Sequence, residues 1–131
     1  MNEIRVLVVD DYYSIREGLA TLFAIYDDLT LVGEARDGYE ALDLCARVYP
    51  DVVLMDIFMP GPDGIETTQI IRARYPMVNV VVFTNATDKA MIEAAVGAGA
   101  VGCLLKTAGI DDIADTIRAA AQHQLLVEHA S

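Results

Sequence analysis

The sequence predicts an α/β fold in which a parallel sheet of five strands is covered on both faces by five helices. Two patterns predict it. Short aliphatic runs alternate strictly with amphipathic helical stretches along the chain. The runs are continuous rather than alternating with polar residues, as in strands buried on both faces. Alternation at this spacing implies parallel strands joined by right-handed crossovers.

Val6 to Val9 is the first strand, and Ser14 opens a helix with Ile15, Leu19, Leu22 and Phe23 on one stripe. Leu31 to Ala35 is a second strand. Asp37-Gly38 turns into a helix carrying Ala41, Leu42, Cys45 and Val48, which stops before Pro50. Val52 to Met55 is the third strand. Two prolines and two glycines between Met59 and Gly64 hold the chain in a loop over that strand's end. Ile65 to Tyr75 forms a helix ended by Pro76, and Asn79 to Phe83 a fourth strand. Thr84 to Thr87 connects to a helix from Asp88 to about Ala98, closed by Gly97 and Gly99. Gly102 to Leu105 is the last strand, and the final helix carries Ile110, Ile113, Ile117 and Ala120 on its apolar stripe.

With 131 residues the chain has room for one domain, and 54% hydrophobic residues supply a core on both faces of a sheet. Its apolar runs fall well short of the roughly 20 residues that cross a bilayer, so no membrane span is expected. Met1-Asn2-Glu3 lacks the basic and apolar regions of a signal peptide, and a cytoplasmic location is expected. The net charge of −11 repels polyanions, which argues against direct nucleic-acid binding by this segment. Most of these acids read as solvated helix faces. Cys45 and Cys103 lack metal-ligand spacing and are expected as buried, reduced thiols.

Four strands end on polar residues: Asp10 and Asp11, Asp56, Thr84, and Lys106. Open α/β sheets bind ligands outside the carboxyl ends of their strands, so these positions converge. Three carboxylates in one crevice repel each other and call for a cation. Mg²⁺ suits them, because it takes one or two carboxylates, several waters and a phosphate oxygen. Three carboxylates, one ammonium and a divalent ion sum to zero formal charge, leaving a neutral site for a phosphoryl dianion. Asp56, alone at the middle strand's end, is the candidate nucleophile toward phosphorus. Thr84 and Lys106 are placed to stabilise the phosphoryl oxygens.

Residues 3 to 122 resemble the receiver domain of bacterial two-component response regulators. The likeness rests on Val6-Leu7-Val8-Val9-Asp10-Asp11, the run from Asp51 through Asp56 to Gly64, Thr84, and Gly99 to Lys106. It implies a flavodoxin-like doubly wound sheet of order 2-1-3-4-5, with a receiver domain over residues 1–122 and a tail or linker over residues 123–131. It implies that Asp56 accepts phosphoryl from a histidine kinase, and that Asp10, Asp11, Asp56 and the backbone carbonyl of Phe58 hold Mg²⁺. The chain then catalyses only its own phosphorylation and dephosphorylation. Arg16-Glu17-Gly18-Leu19 is most similar to the subfamily whose receivers precede a LuxR-type helix-turn-helix output domain. Such receivers often dimerise on phosphorylation through the helix-four to helix-five side, where Met91, Ala94 and Ala98 offer small or apolar neighbours.

Three positions depart from the resembled pattern. Phe58 stands two residues after Asp56, where a polar or basic residue is usual, and Ala86 stands two after Thr84; both positions influence how water reaches the acyl phosphate. Apolar Phe58 either shields the phosphoryl group or packs over the loop. Cys103 replaces an aromatic ring that rotates on phosphorylation, which weakens the expected coupling to the output face. Tyr12 and Tyr13 are expected to cover the mouth of the site.

Gly97 to Gly102 matches GxGxxG, but follows a helix and leads into a strand, the reverse of a dinucleotide fingerprint. His123 and His129 are expected as exposed tail residues. Two rival readings are an aspartate-nucleophile phosphatase and a receiver-like module that signals without phosphorylation. Phe58, where such phosphatases place a second acid, disfavours the first; the filled acid, hydroxyl and lysine positions disfavour the second.

Overall fold

The computed structural model describes residues 3–85 and 88–123. Its elements alternate: β1 (Ile4–Val9), α1 (Tyr13–Ile25), β2 (Leu29–Ala35), α2 (Gly38–Val48), β3 (Val52–Met55), α3 (Gly64–Arg74), β4 (Asn79–Thr84), α4 (Lys89–Gly97), β5 (Gly102–Leu105) and α5 (Ile110–Ala121). The five strands pair in parallel in the order β2-β1-β3-β4-β5, the arrangement expected from the sequence.

Successive residues of a strand point to opposite faces, and this divides the core. Val6, Val8, Val52, Leu54, Val81 and Phe83 pack with Leu19 and Leu22 of α1 and with Ile113, Ala114, Ile117 and Ala120 of α5. Leu7, Val9, Val53, Met55 and Val80 pack on the other face with Ala41 and Cys45 of α2 and Ile71 of α3. A smaller cluster of Ile57, Val82, Ala95 and Ala100 seats α4. Among the described residues, no helix is long and apolar enough to cross a membrane.

Side chains that mimic the missing helical acceptor start three of the helices. Asp37 accepts from the Glu40 amide, Asp63 from the Glu66 amide, and Asp88 from the Ala90 amide. Asp63 and Glu66 form a reciprocal capping box. Gly99 follows α4 with φ +109°, a conformation that favours glycine and ends the helix where expected.

Several expectations need correction. α1 begins at Tyr13 rather than Ser14, with no side-chain cap, and β2 begins at Leu29 rather than Leu31. Ile110 is 45% exposed: as the first residue of α5 it lies a turn before the packed stripe that starts at Ile113. Cys103 is only partly buried, because β5 is an edge strand. On α4, Met91 turns inward against the Ile57 cluster, and the exposed large apolar residues are Ile92 and Val96. His123 is partly buried rather than exposed. Ala86 and Thr87, and the tail from residue 124 with His129, lie outside the described residues.

Candidate functional site

The sheet register builds the site. Val9 pairs with Met55, and Met55 with Val82, so the residues that follow β1 and β3 emerge side by side. Backbone bonds continue the ladder past the strand ends: the Asp10 amide donates to Ala35, the Asp56 amide to Val9, and the Lys106 amide to Thr84. The sheet order reverses between β1 and β3, which opens a crevice at their carboxyl ends.

Asp10, Asp11 and Asp56 each turn a carboxylate oxygen into this crevice, and the three oxygens lie within 4.8 Å of one another. Lys106 joins them, with Nζ 2.7 Å from Asp10 Oδ2 and 3.2 Å from Asp56 Oδ1. Thr84 is buried at the end of β4 beside them. The strand-end residues singled out in the sequence are therefore brought to one edge of the sheet.

The electrostatics are tight. Burial, and then the neighbouring Asp10, push the Asp56 carboxyl up to about 6 against the pull of Lys106. Burial opposes the charge on Lys106, but its contacts with Asp10 and Asp56 outweigh that cost and raise its pKa. Asp10 Oδ1 accepts from the Tyr12 amide at 2.9 Å. Asp11 Oδ1, by contrast, is buried without a hydrogen-bond partner among the described residues. Hard oxygen donors converging with one buried, unsatisfied oxygen fit a divalent cation.

Of the two tyrosines expected at the mouth of the site, one is found there. Tyr12 lies over the site, its ring centroid 5.8 Å from Lys106 Nζ, while Tyr13 instead covers Arg16. Phe58 is 57% exposed.

One contributor escaped the sequence reading. A Cβ on Gly64 would stand 2.0 Å from the Asp56 carbonyl oxygen, so only glycine lets the start of α3 close against the backbone of Asp56. The Gly64 amide donates to Ile57 at 2.7 Å and pins that approach. The signal was present in Pro62-Asp63-Gly64 at the end of the loop, but a close backbone approach cannot be read from one chain's residues alone.

Residues 6–118 match the family model for the response regulator receiver domain. The chain belongs to that family. The transcriptional regulatory protein LiaR of Bacillus subtilis is 40% identical over 125 residues, covering 95% of this chain and 59% of LiaR. DegU of Brevibacillus brevis, also named a transcriptional regulatory protein, is 34% identical over 121 residues, covering 92% of this chain and 51% of DegU. The solved receiver domain of the putative response regulator NarL from Mycobacterium tuberculosis superposes with a TM-score of 0.89 at 32% identity, over 93% of this chain and 98% of that one. A LuxR-family response regulator from Aurantimonas gives a TM-score of 0.88 at 33% identity, over 93% of this chain and 87% of that one. The chain spans less than two thirds of the length of these two curated relatives. It is a receiver domain of the two-component response regulators, and its relatives are transcriptional regulators.

Proposed function

We propose that this receiver domain accepts a phosphoryl group on Asp56 from a histidine kinase and uses the new charge to control an output. The observation that carries the proposal is the convergence of Asp10, Asp11, Asp56 and Lys106 at one sheet edge. The Asp56 carboxylate attacks phosphorus, a P–O bond forms as the P–N bond of phosphohistidine breaks, and the imidazole leaves with the electron pair.

Asp10, Asp11 and Asp56, with the Phe58 carbonyl, are the residues that would hold Mg²⁺. When bound, the ion supplies positive charge to the phosphoryl oxygens. Lys106 is already beside Asp56 and supplies a second positive charge, while the Thr84 hydroxyl offers a donor. Burial of Asp56 lowers access of water to the acyl phosphate. In this reading the domain does not turn over an external substrate, and Phe58, which is exposed, modulates the lifetime and readout of the phosphorylated state together with Ala86 and Cys103.

The receiver unit is taken as residues 1–122, with residues 123–131 leading toward an output domain that binds DNA, as the transcriptional regulators among its relatives suggest. A cytoplasmic location follows from the same phosphodonor. Exposed Ile92 and Val96 of α4 offer apolar surface to a phosphorylation-dependent dimer. Exposure to acetyl phosphate tests the core of the proposal. Phosphate incorporation should require Mg²⁺ and vanish in Asp56→Asn, and incorporation that persists in EDTA would contradict it.

A further inference from the structure

Arg16 stands where helix electrostatics disfavour it. It closes the first turn of α1, the positive end of the helix dipole, and that turn holds no acidic residue and no side-chain cap. Its side chain is nonetheless only 15% exposed. Three contacts hold it. Nη1 donates to the Asp10 carbonyl at 2.7 Å, Nε lies 3.5 Å from Glu34 Oε1, and the Tyr13 ring covers the guanidinium at 5.7 Å.

The Asp10 carbonyl belongs to the peptide that joins Asp10 to Asp11. A strong charged donor on that oxygen fixes the plane from which both carboxylates project. Within the same turn the Tyr12 amide holds Asp10 Oδ1. Asp11 has no comparable restraint on Oδ1, which is buried without a partner. Its direction therefore depends on the peptide plane.

We propose that Arg16 is a positioning residue for cation binding, clamping the Asp10–Asp11 peptide so that both carboxylates converge with Asp56. Glu34 and Tyr13 hold the guanidinium in place. The inference rests on the reading of the acidic crevice as a Mg²⁺ site.

The sign of one measurement tests it. By Coulomb's law alone, removing a positive charge beside a dication site tightens binding. Loss of positioning weakens it, and the supporting contacts of ligating groups are typically worth about 10- to 100-fold in metal affinity. Calorimetric titration of the purified chain with MgCl₂ at fixed ionic strength, well below each variant's thermal midpoint, separates the two. Arg16→Gln should bind Mg²⁺ about 10- to 100-fold more weakly than wild type. Arg16→Lys keeps the charge but not the fork, and should fall between them; it also keeps the test readable if Arg16→Gln folds poorly. Binding by either folded variant as tight as wild type, or tighter, would overturn the proposal. A wild type that gives no Mg²⁺ isotherm would overturn the metal reading itself, and this inference with it.

Discussion

The Lys106 ammonium lies closer to Asp10 Oδ2, at 2.7 Å, than to the proposed phosphoacceptor Asp56, at 3.2 Å from Oδ1. The lysine therefore shares one positive charge between Asp10 and Asp56. Both partners and the lysine itself are nearly inaccessible to water, so removing the cation leaves buried carboxylates uncompensated. Lys106→Met should destabilise the metal-free protein by about 3 kcal/mol, with part of the loss recovered in Mg²⁺. Thermal melts with and without Mg²⁺ check this; equal melting of the two proteins would contradict it.

The opposite sign is expected at Asp56. Burial and Asp10 both disfavour its charge, so Asp56→Asn removes repulsion while leaving Lys106 paired with Asp10. The variant should gain about 1 kcal/mol in metal-free urea denaturation at neutral pH. A less stable variant would show that Lys106 already compensates the site in full.

A steric prediction concerns Gly64. An alanine Cβ would meet the backbone oxygen of Asp56 at 2.0 Å, and backbone cannot move aside as a flexible side chain does. Gly64→Ala should cost about 3 kcal/mol and displace Asp56 enough to slow phosphorylation by acetyl phosphate. A variant with wild-type stability and rate would mean that the loop relaxes freely.

The pH dependence is read at the far end of the molecule. Arg118 holds Asp28 by a two-pronged pair at 2.8 and 3.0 Å, joining α5 to the turn before β2. The Arg118 hydrogen bonds pull the Asp28 carboxyl below its ordinary 3.8. For a depressed acid the stabilisation is fully present above 3.8 and is lost as pH falls through the lower folded value. Asp28→Asn should therefore melt below wild type at neutral pH, and the gap should close in acid. A gap independent of pH would assign the effect to packing instead.

The thiols should differ in reactivity. Cys45 is fully buried in α2, and burial pushes its thiol up to about 11. Cys103, on the edge strand, is partly accessible. Iodoacetamide should label Cys103 first and reach Cys45 only on unfolding, as peptide mass mapping can show.

The strand ends were legible because continuous aliphatic runs stop on polar residues, and a parallel sheet forces those stops to one edge. Asp10, Asp56, Thr84 and Lys106 needed nothing more. Other features depend on where elements sit in space. Ile110 fits the period of α5 but lies beyond its covered stripe, and Cys103 reads as core because its short run is as continuously apolar as those of the central strands. The approach of Gly64 to Asp56, and the reach of Arg16 to the Asp10 carbonyl, join separate elements and leave only a short motif in the sequence.

Mapping the phosphoryl adduct decides whether Asp56 is the phosphoacceptor. After treatment with Mg²⁺ and acetyl phosphate, borohydride reduction converts an acyl phosphate to an alcohol that tandem mass spectrometry can place. Reduction is expected at Asp56 alone, absent in Asp56→Asn and in EDTA. An adduct at Asp10 or Asp11, or none on a folded protein that binds Mg²⁺, would contradict it.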